Sequence, residues 1–390
     1  MYFRNGKIFI DGAFQQGGFL VENGRFRNIL VENSGDKNDP NAVDLNGAYV
    51  IPGLVDIHIH GAAGEDFSSC DSEGLIRMAK YLASKGVTSF LPTAMTLPKE
   101  DYLKAAENIA EIAVEGAVSE NTTDNTVVAR ILGMRMEGPF LSPKKKGAQN
   151  EAFIQRPDAG IFKEISDRSG DRVKIIDIAP ETEGADSFIR EVHDSNGAKT
   201  VISVGHSAAS YEEAMKAFLL GAGHVTHLFN AMNPFHHREP GIIPAAAENK
   251  AVTAEIISDG IHVHESAVRM AFNLFPDRIC IISDALSCLG VPDGEYMLSG
   301  QKIIKSGGVA RLEDGTLAGA ASDIYDGMRN AIRFGIPVET AILAASRLPA
   351  DIIGNKDVGA IEVGRYADFI VCDEKLNLKE VYIGGILCQS

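Results

Sequence analysis

The pattern of apolar and polar positions changes character twice along the chain. Up to about residue 50 it predicts short strands joined by tight turns, because apolar positions alternate between the turn pairs Asp11-Gly12 and Asn23-Gly24. From Ile51 it changes to apolar runs that alternate with amphipathic helices, which is typical of a parallel sheet built from βα units. Strand-like alternation returns in residues 367–372 and 380–383. The pattern therefore predicts an α/β unit with β-rich segments at both ends.

The α/β region contains eight apolar runs that we predict to be parallel strands. They are residues 54–60, 87–92, 127–137, 173–179, 200–206, 224–227, 252–258 and 278–284. Helical periodicity is found at residues 72–84, 99–117, 187–194, 211–219, 265–274, 324–334 and 339–346. Residues 288–319 are rich in Gly and turn pairs and are predicted to be an insertion. Eight repeats favour a closed (β/α)8 barrel over a doubly wound open sheet.

Two domains follow from this division. Residues 1–50 and 359–390 are predicted to pair into a small β-sandwich domain, which would bring the termini together. Residues 51–358 are predicted to form the barrel domain. The length of 390 residues fits this arrangement, since a barrel takes roughly 250 residues and leaves enough for an accessory unit.

Residues suited to metal binding or acid/base chemistry fall at the carboxyl ends of the predicted strands. They are His58, His60, Glu137, His206, His227 and Asp284. An isolated His-x-His pair is as often two hydrogen-bonded core histidines as a metal site, but six such residues at the same end of separate strands favour an active site. Imidazole and carboxylate ligands without thiolates suit Zn²⁺, Fe²⁺, Mn²⁺ or Co²⁺.

Composition narrows the classes of partner and compartment. The balance of 37 Lys+Arg against 53 Asp+Glu gives a net charge of -16, which argues against nucleic acid or an anionic membrane as the main partner. The five scattered cysteines lack a C-x-x-C pair, so a reducing cytoplasm is expected rather than a disulfide framework. No apolar run approaches the ~20 residues of a membrane span, and the N-terminus lacks the layout of a signal peptide. A soluble cytoplasmic protein is expected.

Several runs together resemble the amidohydrolase superfamily. Residues 52–61, with the sequence PGLVDIHIHG, are similar to its first-strand signature. The runs at 136–140, 205–207, 226–232, 237–241, 259–262 and 283–285 resemble the branch that deacetylates N-acetylated amino-sugar 6-phosphates. The resemblance extends from Gly53 to Asp368. It implies hydrolysis of N-acetyl-D-glucosamine 6-phosphate to D-glucosamine 6-phosphate and acetate, in amino-sugar catabolism and cell-wall sugar recycling.

The resemblance also implies the roles of individual residues. Glu137, His206 and His227 would hold a metal ion that activates water, and His58 with His60 would hold a second ion bridged by Glu137; one or two ions per subunit are both compatible with the family. Asp284 matches the general base and acid, and His262 matches a donor to the substrate carbonyl. By itself, His262 would be interpreted as a surface histidine in a turn. The positions that match substrate contacts are Ala148, Asn230, Ala231, Arg238, His262, Leu317, Ala318 and Gly319.

Asn230, Ala231 and Arg238 match phosphate contacts within that set, and in the family this arginine can reach the site of a neighbouring subunit. A homodimer is therefore expected. Gln149 departs from the family pattern, since many relatives carry a histidine there, so a substrate contact at this position would come from an amide. Which epimer of N-acetylhexosamine 6-phosphate is preferred stays open.

Two other functions fit parts of the sequence. Cyclic-amide hydrolases such as dihydroorotase and hydantoinase share the His-x-His strand, but they use a carbamylated lysine at the end of strand four. Here Lys174 lies at the opposite end of that strand. A barrel that has lost catalysis and serves as a scaffold would have lost ligands or the acid/base residue, and this chain keeps them all.

Overall fold

The eight predicted parallel strands form a barrel in the computed structural model, which describes residues 1–30, 42–112, 127–196 and 199–388. In chain order the strands are β1 (Leu54–Ile59), β2 (Val87–Ala94), β3 (Met134–Phe140), β4 (Val173–Ile178), β5 (Val201–Val204), β6 (His224–Val225), β7 (Thr253–Ile257) and β8 (Ile279–Ile282). Each strand pairs in parallel with the next. The Asp284 N–H donates to the His58 carbonyl at 2.9 Å and joins the last strand to the first. The predicted (β/α)8 barrel is confirmed.

Helices connect and flank the barrel strands. They are α1 (Ser72–Ser84), α2 (Lys99–Glu111), α3 (Ala159–Arg168), α4 (Ala185–Asn196), α5 (Tyr211–Leu220), α6 (Ile242–Glu248), α7 (Glu265–Leu274), α8 (Ile324–Arg333), α9 (Val338–Ala345) and α10 (Arg347–Ile352), with 3-10 turns at Pro143–Lys145 and Glu151–Phe153. All seven predicted helices are present, and α3, α6 and α10 were not predicted. The predicted extension of α2 to residue 117 lies outside the described residues. In the described ranges, no helix is both long and apolar enough to cross a membrane.

The two ends of the chain combine into one eight-stranded sheet. Its strands are Tyr2–Ile10, Ala13–Glu22, Arg25–Leu30, Val43–Asp44, Tyr49–Pro52, Phe369–Cys372, Leu378–Ile383 and Ile386–Leu387. The rings of Phe26 and Phe369 have centroids 6.1 Å apart, although their strands are four places apart in the sheet, which is about 19 Å in a flat sheet. The sheet therefore folds over on an aromatic core, and the predicted small β domain is confirmed. The residues at which it gives way to the barrel stay a prediction.

The predicted insertion has its own regular structure. It is a four-stranded antiparallel sheet of Gly294–Leu298, Gln301–Ser306, Val309–Leu312 and Leu317–Ala320. The Ala320 N–H donates to the Asp284 carbonyl at 2.7 Å, which ties the last strand to the carboxyl end of β8. A Cβ on Gly319 would lie 2.3 Å from that carbonyl oxygen, so the close approach requires glycine. The insertion thus reaches the end of the barrel where the candidate residues lie. A smaller hairpin, Gly61–Ala62 with Glu65–Asp66, follows β1.

Candidate active site

The carboxyl ends of the barrel strands bring all six predicted residues into one buried cluster. Its members are His58, His60, Glu137, His206, His227 and Asp284. Three of them, His206, His227 and Asp284, have positive φ angles of 46°, 26° and 52°. Such backbone is uncommon outside glycine and concentrates where a strand end must turn a side chain into a site.

Glu137 lies at the centre of the cluster. Its Oε1 is 3.1 Å from Nε2 of His206 and 3.0 Å from Nε2 of His227. Its Oε2 is 3.1 Å from Nε2 of His60. Two groups of possible metal ligands share this carboxylate, and in each group the ligand atoms lie within 4.8 Å of one another. The groups are Glu137, His206 and His227, and His58, His60, Glu137 and Asp284.

The hydrogen bonds of the imidazole rings fix which nitrogen faces Glu137. Nδ1 of His60 lies 3.0 Å from the Thr93 carbonyl, and Nδ1 of His206 lies 2.9 Å from the Lys145 carbonyl. A carbonyl oxygen only accepts, so Nδ1 carries the hydrogen and the lone pair of Nε2 faces the carboxylate. Nε2 of His58 is buried and has no hydrogen-bond partner within the part of the chain that the structure describes. Lone pairs that converge on a carboxylate are the arrangement that a bound cation satisfies.

The electrostatics of the cluster also require positive charge. Burial lowers the pKa of His60, but Glu137 and Asp284 outweigh it and raise that pKa to about 9. Burial acts in the same way on His206, and Glu137 again raises its pKa. Burial would raise the pKa of Glu137, yet the surrounding His58, His206 and His60 hold it well below its usual value. A divalent ion would supply this charge and leave the imidazoles neutral.

Asp284 adjoins the His58 and His60 side of the cluster. Its Oδ1 is 3.1 Å from Nε2 of His60 and 3.5 Å from Nε2 of His58. Burial opposes ionisation of this carboxyl, but His58 and His60 lower its pKa. The carboxylate therefore stays ionised while it lines the cavity above the cluster. It lies outside the group formed by Glu137, His206 and His227.

A cavity of about 280 Å³ opens over the cluster. It is lined by seven of the eight residues that match family substrate contacts, namely Ala148, Asn230, Ala231, His262, Leu317, Ala318 and Gly319. Arg238 does not line it. The Arg238 side chain lies in an exposed turn, with Nη1 2.7 Å from Nε2 of His237. Within this chain the structure therefore brings together every predicted contact except the arginine.

His262 is held on both sides of its ring. Nδ1 lies 2.6 Å from Oδ2 of Asp259, and Nε2 lies 2.8 Å from the Ala318 carbonyl. Burial lowers the pKa of His262, but the bond to Asp259 outweighs it and raises the pKa. The ring therefore favours the form that donates from both nitrogens. Its side chain is only 6% exposed, which rules out the interpretation as a surface histidine.

Gln149 contacts the central carboxylate. Its Oε1 accepts from the Thr96 N–H at 2.7 Å, so its Nε2 is the atom that donates to Oε2 of Glu137 at 2.6 Å. The sequence predicted a substrate contact from this amide. Although Gln149 lines the cavity, its amide is already bonded to Glu137 and to the backbone of Thr96.

A second layer of charged residues lies beneath the cluster and was not predicted. Arg135 donates to Asp177 and to Glu255, and Glu255 lies 3.0 Å from His224 and 3.0 Å from His58. All of these side chains are buried inside the barrel. One signal was available in the sequence. Arg135 precedes Glu137 by two positions and thus shares its face of the strand, and Glu255 interrupts an otherwise apolar strand.

A (β/α)8 barrel with a buried imidazole and carboxylate cluster at the carboxyl ends of its strands defines a metal-dependent hydrolase. Residues 49–387 match the model of the Amidohydrolase family. The chain belongs to that family, as its motifs predicted.

Curated relatives match most of the chain. An N-acetylglucosamine-6-phosphate deacetylase from Lysinibacillus sphaericus is 34% identical over 342 residues, which are 87% of this chain and 85% of the relative. An N-acetylgalactosamine-6-phosphate deacetylase from Escherichia coli O157:H7 is 32% identical over 348 residues, 89% of each chain. The relatives thus act on two sugar epimers.

Solved structures superpose over the whole length. A variant of N-acetyl-D-glucosamine-6-phosphate deacetylase from Mycobacterium smegmatis, in complex with N-acetyl-D-glucosamine-6-phosphate, gives a TM-score of 0.90 at 28% identity and covers 100% of this chain and 99% of its own. The N-acetylglucosamine-6-phosphate deacetylase from Thermotoga maritima gives 0.86 at 29% identity, with the same coverage of 100% and 99%.

Proposed function

We propose that this protein hydrolyses N-acetyl-D-glucosamine 6-phosphate to D-glucosamine 6-phosphate and acetate, in amino-sugar catabolism and cell-wall sugar recycling. The observation that carries the proposal is the position of Glu137. It lies between two groups of imidazoles, beneath a cavity lined by residues that match the substrate contacts of the family. Similarity to a structure that holds this substrate supports the same conclusion.

The two ligand groups support two divalent ions per subunit, which we propose to be Zn²⁺, Fe²⁺, Mn²⁺ or Co²⁺. Glu137, His206 and His227 would hold the first ion, and His58, His60 and Glu137 the second. When bound, the ions supply activation of water and polarisation of the amide oxygen. Glu137 contributes an oxygen to each side, so a single residue would determine the occupancy of both groups.

Asp284 is the proposed proton carrier. Its carboxylate faces the cavity from the end of β8, takes the proton of the attacking water and returns it to the amide nitrogen. An amine leaves poorly unless it is protonated, so both transfers are needed. His262 is the proposed donor to the developing oxyanion. Its Nε2–H is presented to Ala318 at the cavity wall, and a substrate carbonyl would replace the Ala318 oxygen as acceptor.

We further propose that Asn230, Ala231 and Arg238 bind the phosphate and that the enzyme is a homodimer. Arg238 is exposed and does not line the cavity of its own subunit. This position supports a contribution to the cavity of a neighbouring subunit. The adjacent Phe235 is 60% exposed and supports an interface at the same turn.

All five cysteines are free thiols, which supports a reducing compartment such as the cytoplasm.

Hydrolysis of a panel of substrates tests this function, measured as acetate release for the N-acetylated sugars and as ring opening for the cyclic amides. The panel contains N-acetylglucosamine, N-acetylgalactosamine and N-acetylmannosamine, each with and without the 6-phosphate, together with dihydroorotate and a hydantoin. We expect the metal-reconstituted enzyme to prefer phosphorylated N-acetylglucosamine, and the chelated enzyme to be inactive. Faster turnover of another epimer would correct the substrate, and turnover of only the cyclic amides would contradict the proposal.

Replacing Arg238 by alanine should raise KM for the phosphorylated sugar by about 10- to 150-fold. A lost charge-assisted contact is worth roughly 1.5–3 kcal/mol, and turnover of the unphosphorylated sugar should change little. Steady-state kinetics on both sugars measures the difference. Arg156→Ala, which removes another exposed arginine, is the matched control. Equal losses on both sugars would assign Arg238 to the fold or the dimer instead.

Replacing His58 by alanine should remove one ion per subunit and leave the other. His58 belongs only to the group that includes His60 and Asp284, whereas Glu137, His206 and His227 stay intact. Elemental analysis of the purified variant measures the ratio of metal to protein. His236→Ala, at an exposed histidine, should retain the full metal content. Complete loss of metal in the His58 variant would mean that the two groups do not fill separately.

A further inference from the structure

Glu255 is a buried carboxylate at the middle of β7, directly beneath the cluster. Its Oε2 lies 3.0 Å from Nδ1 of His58 and accepts from the His227 N–H at 3.1 Å. Its Oε1 lies 3.0 Å from Nε2 of His224 and accepts from Arg135. One side chain therefore contacts a residue from each of the two ligand groups.

The contact of Glu255 with His58 determines which tautomer the His58 ring adopts. A carboxylate only accepts, so Nδ1 of His58 carries the hydrogen and Nε2 presents its lone pair to Glu137, 3.2 Å away. A carboxylate partner also makes an imidazole a stronger ligand, and loss of such a partner typically weakens metal binding by about 10- to 100-fold.

The contact with His227 acts through the backbone. His227 has a φ of 26°, at the end of a very short strand, and its side chain must point at Glu137. The Glu255 carboxylate accepts from the N–H of His227, and the Glu255 carbonyl accepts from the N–H of Leu228 at 2.9 Å. Both hydrogen bonds hold the turn that aims the His227 ring.

We propose that Glu255 is a positioning residue shared by the two ion-binding groups, which fixes the tautomer of His58 and the backbone of His227 at the same time. The proposal rests on the proposed function in one respect, namely that the cluster holds divalent ions. It assigns to Glu255 no contact with the substrate.

The structure offers a matched control for the charge of Glu255. Arg135 lies between two buried carboxylates, and its Nη2 donates to Asp177 at 2.9 Å and 3.1 Å. Each carboxylate neutralises the same guanidinium from inside the barrel. Among the hydrogen bonds of the described residues, those to the Glu255 side chain come from the ligand residues His58 and His227 as well as from Arg135 and His224. Those to the Asp177 side chain come from Arg135 alone. A role confined to charge balance would make the two residues equivalent.

Metal titration of Glu255→Gln and Asp177→Asn in the full chain separates the two roles. Each apo-protein is titrated with Zn²⁺ against a chromophoric chelator, and the Co²⁺-loaded forms are compared by visible absorption. We expect Glu255→Gln to weaken binding of both ions by about 10- to 100-fold and to change the Co²⁺ spectrum. Both variants should lower the melting temperature, because each leaves Arg135 with one buried carboxylate fewer. Asp177→Asn, however, should leave the affinities for both ions within about threefold of wild type.

Wild-type affinities in Glu255→Gln, or equal losses in both variants, would overturn the proposal. Glu255→Asp covers the case in which the glutamine variant does not fold. It keeps the negative charge opposite Arg135 but is one methylene shorter, so the same loss of affinity is expected, and unchanged affinity would again overturn the assignment. The titration uses no substrate. A protein that shows this pattern but releases no acetate would therefore contradict the proposed function alone.

Discussion

Replacing Asp284 by asparagine should lower kcat by about 10⁴-fold or more while the protein stays folded. General acid and base help is typically worth about 10²–10⁴-fold, and in the proposed mechanism one carboxylate serves both the attack of water and the expulsion of the amine. Asparagine keeps the size and polarity of the side chain but can neither take nor give the proton. The Glu137, His206 and His227 group does not include Asp284, so its ion should remain bound.

The kinetic measurement needs matched metal content. Oδ1 of Asp284 is 3.1 Å from Nε2 of His60, so the variant could also lose the ion of that group. Comparison with His58→Ala, which removes the same ion but keeps the carboxylate, isolates the proton transfer. Binding of a non-hydrolysable substrate analogue should be retained. A kcat above about a tenth of wild type would be too high for an enzyme that has lost its sole proton carrier.

The fold was predictable because its signals are local. Each apolar run is long enough to be a buried strand, and six of the eight are followed by a segment of helical period, so most of the order of elements follows from the sequence alone. The position of the site followed from the same map, since the carboxyl ends of parallel strands must meet at one end of a barrel. His58 and His60 share a face of β1 because they are two residues apart.

The insertion and the short helices were harder to predict for a physical reason. The strand Gly294–Leu298 is only five residues long, has one face exposed and is flanked by turn residues on both sides, so its sequence resembles a loop. Helix α3 buries only Phe162, Ile165 and Ser166, too few positions for a clear period. Its N-cap Asp158, which accepts from the Ile161 N–H, was the stronger signal in the sequence.

The contacts around Glu137 depend on the stagger between strands and on the path of a loop. Gln149 lies in the loop after β3, and its reach to Oε2 of Glu137 is set by the hydrogen bond from Thr96 at the end of β2. Glu255 reaches His58 across the closed barrel, from β7 to β1. The sequence shows on which face of a strand a residue lies but not at what height in the barrel. Asp284 could therefore be placed at the end of its strand, whereas the residues that contact the candidate ligands from below could not be predicted.

Replacing Glu137 by glutamine should remove the metal from both groups and abolish activity with it. A neutral amide is a much poorer ligand than a carboxylate. Oε1 of Glu137 lies beside His206 and His227, and Oε2 lies beside His60, so the carboxylate faces both ligand groups. The loss should exceed the roughly 10- to 100-fold that follows removal of an outer hydrogen-bond partner. Elemental analysis and kcat are measured on the same preparation.

The pattern across three variants makes the Glu137 prediction specific. His58→Ala should keep one ion, Glu255→Gln should bind both ions weakly but recover them at high metal concentration, and Glu137→Gln should keep neither because its carboxylate belongs to both groups. In the glutamine variant, the side-chain amide N–H would either donate to the lone pair with which an imidazole Nε2 would bind metal, or face the amide N–H of Gln149, so neither orientation restores the ligand set. Full metal occupancy in Glu137→Gln would contradict its assignment as the shared ligand, whereas loss of one ion alone would place Glu137 in a single group.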